Sequence, residues 1–171
     1  MAERSVRPAD PSELDASELR VALICSRFNA DVTDRLLDGA RRFLMSHGSR
    51  RPLVVWVPGC FELPLTAATL AESGQVDAIV ALGCVIKGET SHDQYVAGEC
   101  ASGLMHVNLD TGVPVGFGVL TVSNLQQALD RSESDNNRGA DAAEAAVVMA
   151  NVVRRLQEGD DEPIQIKPLT R

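Results

Sequence analysis

Apolar positions along this chain switch repeatedly between two periods. Residues 19–28, LRVALICSRF, form a compact run rich in Val and Ile that predicts a strand buried on both faces and ending at Asn29. Directly after it, residues 30–48 place Val32, Leu36, Leu37, Ala40, Phe43 and Leu44 at helical spacing, with charges opposite and Gly48 as a stop. The pairing recurs. Residues 52–58 predict a second strand and 61–73 a helix, and 76–86 predict a third strand entered from a turn at Gly74. Residues 91–112 make a long helix closed by glycine, 114–122 a fourth buried strand, and 124–132 a short helix with Asn124 as N-cap. In the last helix, 139–159, small and apolar residues occupy most of the circumference, so it faces protein on more than one side. Strands separated by helices of this length demand right-handed crossovers, which gives a three-layer α/β/α domain with a four-stranded parallel sheet and helices on both faces.

The 171 residues suffice for one domain with a single core. It is expected to span 19–158, with a polar N-terminal arm over 1–18 and a polar C-terminal tail over 159–171. A net charge of −8, with no run of Lys and Arg, argues against nucleic acid as a partner. The first residues lack the apolar segment of a secretory signal and nothing is apolar for about 18 residues, so a cytoplasmic protein without a membrane span is expected. Cys25, Cys60, Cys84 and Cys100 form no CxxC pair and stand near no histidine at finger-like spacing. They are expected to be buried, reduced thiols, with no metal site and no cofactor.

In a parallel sheet of this kind ligands bind beyond the carboxyl ends of the strands. Those positions hold Arg27, Phe28 and Asn29 after the first strand, Pro58 to Glu62 after the second, Lys87 to His92 after the third, and Phe117 to Thr121 near the end of the fourth. Aromatic rings, a carboxylate, turn glycines, a hydroxyl and a histidine on one edge suit a polar, partly planar ligand. Lys87–His92 leads into the long helix, whose free backbone amides suit a phosphate that Gly88 lets approach. GCVIKGET, from Gly83 to Thr90, imitates a phosphate loop but has Glu89 where the lysine belongs, which disfavours a nucleoside triphosphate. His92, with an ordinary pKa of about 6.5, can give and take protons or simply cap the helix. It cannot share a metal with His106, about 21 Å further along the same helix. Phe28 and Phe117 read equally as core residues, and Arg131 as a solvated charge. Glu62 either favours a helix dipole or accepts hydrogen bonds from sugar-like hydroxyls.

Five segments in order, SRFN, VPGCFELP, ALGCVIKGETSHDQYV, PVGFGVLT and NRGADAAEAAVVMAN, resemble the corresponding segments of lumazine synthases over residues 20 to 155. The resemblance implies a flavodoxin-like subunit that assembles into homo-pentamers, in some members twelve pentamers in a hollow icosahedral shell of 60 subunits, with each active site shared between neighbours. It implies condensation of 5-amino-6-(D-ribitylamino)uracil with 3,4-dihydroxy-2-butanone 4-phosphate in riboflavin biosynthesis. By the same resemblance Phe28 stacks on the pyrimidine, and Cys60, Phe61 and Glu62 hold the ring and ribityl chain. Cys84, Val85 and Ile86 read the ring edge, and Phe117 reaches in from the adjacent subunit. Glu89 and Thr90 bind phosphate with Arg131 opposite, and His92 carries protons.

Positioning two reactive substrates supplies most of the acceleration in such a reaction, and proton transfer adds about 10²-fold to 10⁴-fold. The chain departs from the family pattern at Asp93, where an aromatic is usual, and in the acidic loop SESDNNRG, one residue shorter than the usual form, with Arg138 in place of a lysine. Three other readings compete: a flavin or lumazine carrier, against which His92 and Arg131 speak; a shell protein valued for its cavity; and a phosphate-loop or signalling domain, which lacks the lysine.

Overall fold

The computed structural model describes residues 9–159; the first eight residues of the arm and all of the tail but Gly159 lie outside the described residues. Four strands, β1 (Val21–Ser26), β2 (Leu53–Val57), β3 (Ala78–Ile86) and β4 (Val115–Val122), form one sheet in the order β2-β1-β3-β4, and every pairing is parallel. Five helices connect or follow them: α1 (Ala30–Ser46), α2 (Leu63–Glu72), α3 (His92–Thr111), α4 (Leu125–Asp130) and α5 (Arg138–Glu158). This is the α/β/α arrangement with a four-stranded parallel sheet that the alternating periods imply.

Alternation along the strands divides the core in two. Leu23 and Cys25 of β1, with Val80, Leu82 and Cys84 of β3, point toward α1 and α5. Ala22 and Ile24, with Ile79, Ala81 and Val85, point toward α2 and α3. Every residue of β1 is buried, as its unbroken apolar run requires, whereas β4 is an edge strand that leaves Phe117 and Thr121 exposed. The expectation of a buried fourth strand thus holds only in part, because β4 lies at the sheet edge.

The expected boundaries have clear local causes. Gly48 takes a φ of 91° just beyond α1, and the Asn124 side chain accepts from the Gln127 N–H to start α4. The helix expected from Phe61 instead begins at Leu63, after a 3-10 turn over Cys60–Glu62. At the base of the sheet, Arg20 clamps Asp77 with two hydrogen bonds of 3.0 and 2.7 Å, which fixes β1 against β3. Residues of the expected arm that fall within the description pack on the domain: Pro11–Leu14 form a 3-10 helix, Ala16 is buried, and Asn151 of α5 donates to the Glu13 and Asp15 carbonyls at 2.9 Å.

Candidate active site

The chain leaves β1 toward β2 on one side and leaves β3 toward β4 on the other, so the connections beyond the carboxyl ends of these two neighbouring strands diverge and open a cleft there. Asn29 spans that cleft. It adopts a left-handed backbone conformation at φ 59°, which asparagine tolerates better than most residues, and its Nδ2 donates to the Cys84 carbonyl at 2.9 Å. The bond ties the end of β1 to β3 and turns the preceding residue, Phe28, outward; Phe28 is 70% exposed.

A cavity of about 390 Å³ occupies this position. Phe28 forms one wall, Cys60, Phe61 and Glu62 another, and the end of β3 from Cys84 to Ile86 the floor, with Thr90 and His92 at the entrance to α3. Nine of the sequence-derived site residues therefore surround one space, and it also contains Asn29, Gly59, Gly88, Asp93 and Val96. Asn29, Gly59 and Gly88 stand among the strand-end positions that the sequence singles out. Val96 lies one helical turn beyond His92, a periodicity that becomes informative only once α3 is known to border the cavity.

Close backbone approach shapes the floor. A Cβ on Gly83 would meet Cys60 Sγ at 2.5 Å, so the thiol sits directly against the strand. Burial pushes the Cys60 thiol up, against hydrogen bonding from Ser26 and the Cys84 backbone, and drives the Cys84 thiol up to about 11. Neither is a thiolate at neutral pH, and neither offers an activated nucleophile. Glu62 is half-buried, with its Oε2 beside Gly59. His92 is the first residue of α3 and is exposed. Among the described residues no group of three or more His, Cys, Asp or Glu could hold a metal ion.

Three of the expected residues lie elsewhere in the single chain. Glu89 is exposed beside the cavity but does not line it. Phe117 and Arg131 border a separate hollow of about 240 Å³ on the open edge of β4, together with Arg138. Phe117 pairs with Ala81, three residues before Cys84, which puts it about 10 Å below Cys84, where the cavity floor begins. The Arg131 guanidinium donates to the Gln127 carbonyl at 2.9 Å, and Arg138 pairs with Asp141 at 2.6 Å.

Comparison with known proteins agrees with this geometry. The sequence pattern described as 6,7-dimethyl-8-ribityllumazine synthase matches residues 18–154, which include both hollows. A protein of Edwardsiella ictaluri (strain 93-146) named 6,7-dimethyl-8-ribityllumazine synthase is 50% identical over 146 residues, covering 83% of this chain and 94% of that protein. One of the same name from Nitratidesulfovibrio vulgaris (strain DSM 19637 / Miyazaki F) is 44% identical over 147 residues, covering 84% of this chain and 94% of its own length. With a match that runs from the docked arm through most of α5 and relatives this similar over nearly their whole length, the chain belongs to the 6,7-dimethyl-8-ribityllumazine synthase family.

Proposed function

We propose that this protein condenses 5-amino-6-(D-ribitylamino)uracil with 3,4-dihydroxy-2-butanone 4-phosphate to give 6,7-dimethyl-8-ribityllumazine, releasing phosphate and water. Beside the family membership, one observation carries the reading: a single cavity collects an exposed aromatic wall, a half-buried carboxylate, a helix entrance and an imidazole. Phe28 stacks on the pyrimidine and Phe61 borders it. Glu62 accepts hydrogen bonds from ribityl hydroxyls, and the backbone at Cys84, Val85 and Ile86 reads the ring edge. The butanone phosphate lies at the α3 N-terminus, where Thr90 and the free amides favour an anion and Glu89 flanks it.

The chemistry follows from that placement. The 5-amino group adds to the C2 ketone and water leaves as the imine forms. Loss of the C3 proton then expels phosphate from C4 and leaves an enol, whose tautomerisation turns the C3 hydroxyl into a new carbonyl. The ribityl-bearing amine closes the second ring on that carbon with loss of a second water. His92 takes a proton from the attacking amine and returns one to the departing oxygen, a role worth about 10²-fold to 10⁴-fold. Most of the acceleration comes from holding the two substrates in contact.

The phosphate needs a cation, and Arg131 of the same chain borders a different hollow. We infer that a second copy supplies Arg131 and Phe117. Two apolar faces on opposite layers support this: Leu65, Tyr95, Met105 and Leu109 on α2 and α3 are exposed, as are Met149 and Leu156 on α5. Different faces meeting head to tail generate a ring when the rotation closes, and we read that ring as a pentamer, with a 60-subunit icosahedral shell as its larger form. The domain is read as residues 19–158 and the protein as cytoplasmic; among the described residues no helix is long and apolar enough to cross a membrane. Mixing the purified full-length protein with both substrates should release the lumazine far faster than the uncatalysed reaction. Release at the uncatalysed rate overturns the proposal.

A further inference from the structure

One side chain governs how the segment carrying Arg131 is held. Asn137 is 4% exposed and uses its full hydrogen-bonding capacity. Its Oδ1 accepts from the Gly139 and Ala140 N–H groups at 2.9 and 3.2 Å, which caps α5. Its Nδ2 donates to the carbonyls of Arg35 in α1 and of Ser132, at 2.9 and 2.8 Å. Capping alone would be met by Asp, Ser or Thr. Two carbonyl acceptors in the same seat require an amide, because neither a carboxylate nor a hydroxyl can donate to both. Missing side chains make the seat: a Cβ on Gly39 would collide with the Asn137 amide, and one on Gly139 with the Leu36 carbonyl oxygen.

These bonds bracket Arg131. The residue that follows it, Ser132, has its carbonyl held by Asn137, and the Arg131 carbonyl itself accepts from the N–H of Arg138 at 2.9 Å, next to Asn137 in the chain. Asn136 closes the turn by donating to the Asp130 carbonyl at 2.8 Å. The main chain at Arg131 is thereby fixed against α1, while its exposed side chain remains able to turn outward from the Gln127 carbonyl. We propose that Asn137 is a positioning residue for the reaction: it sets the main-chain position from which Arg131 reaches the phosphorylated substrate in the neighbouring copy's pocket. The inference rests on the role given to Arg131 above.

The test uses the full-length assembled protein with each substrate varied in turn. Asn137→Asp keeps the size and the cap but turns a carboxylate toward two carbonyls; Asn137→Ser keeps a neutral cap, loses both donations, and carries the test if the first variant does not fold. In either, the apparent KM for the phosphorylated substrate should rise about tenfold, as expected for a sub-ångström misplacement, while that for the pyrimidine changes less than about twofold. A lower melting temperature with both KM values unchanged means a purely structural role and overturns the proposal. Arg131→Ala and the double variant Arg131→Ala/Asn137→Ser separate it from the reading beneath. If Asn137 acts through Arg131, the double variant shows the KM of Arg131→Ala alone. Effects that multiply overturn the positioning role and leave that of Arg131 standing, whereas an unchanged KM in Arg131→Ala overturns both.

Discussion

Replacing Gly83 by Ala tests the shape of the cavity floor. The new methyl would meet Cys60 Sγ at 2.5 Å, Leu63 Cδ1 at 3.4 Å and Val119 Cγ1 at 3.6 Å. The two carbon contacts are ordinary, but the sulfur must retreat by roughly 1 Å to reach a normal separation. Cys60 is 4% exposed and opens the turn that carries Phe61 and Glu62, so the sulfur cannot move without them. Overpacking of this kind costs about 1–3 kcal/mol, offset by about 0.5–1 kcal/mol because alanine suits a strand better than glycine. Cys60→Ala alone deletes one buried heavy atom and should cost about 1 kcal/mol. In the double variant the methyl enters the space the sulfur vacates, so stability should return to within about 1 kcal/mol of the parent, with a favourable coupling of about 1–3 kcal/mol. Urea unfolding of all four proteins, followed through the single tryptophan, Trp56, at one fixed protein concentration, measures this. Gly83→Ala should also raise the KM for the pyrimidine, and the double variant should restore it. Additive stabilities would refute the contact as the reason glycine stands at position 83.

Three further outcomes follow from the same structure. His92→Asn should lower kcat by about 10²-fold or more while leaving pyrimidine affinity, measured by calorimetry, nearly unchanged; lost affinity would make the imidazole a structural group. The Arg20 guanidinium holds the Asp77 carboxyl below its usual range, so the pair stabilises the fold at neutral pH and that contribution is lost as pH falls below about 4 toward the lower folded value. Asp77→Asn should therefore be less stable at pH 7 and flatter in its stability profile on the acid side; an unaltered profile counts against the ion pair. Burial drives the Cys25 and Cys100 thiols up to about 12. At pH 8 a disulfide reagent should label them only after unfolding, and rapid labelling of either in the native protein contradicts the packing.

Much of this was legible in the sequence because period and punctuation are local. The switch from strand to helix at Asn29, the stop at Gly48 and the cap at Asn124 each depend on a few neighbouring residues, and strand ends follow once the periods are known. The residues around the cavity were legible for the same reason, since Phe28 and Cys60 to Glu62 follow a strand, Cys84 to Ile86 end one, and Thr90 and His92 lie on the way into the next helix. Partners distant in the chain were not. Nothing in LGCV shows that Gly83 makes room for Cys60, or in NNRG that Asn137 reaches back to Arg35 in α1. Composition alone likewise makes residues 9–18 a polar arm, whereas the two carbonyls held by Asn151 depend on α5 lying alongside. For Phe117 and Arg131 the obstacle is larger, because the proposed site draws them from a second copy of the chain.

The proposed sharing of the site between copies has a direct test. His92→Asn and Arg131→Ala are each prepared as nearly inactive proteins, then unfolded together and reassembled as an equal mixture. If the imidazole of one copy works with the guanidinium of the next, roughly a quarter of the sites in a random ring recover both groups, and activity rises to about that fraction of the parent. A mixture no more active than its two components would place both groups' work within one chain and contradict the shared site.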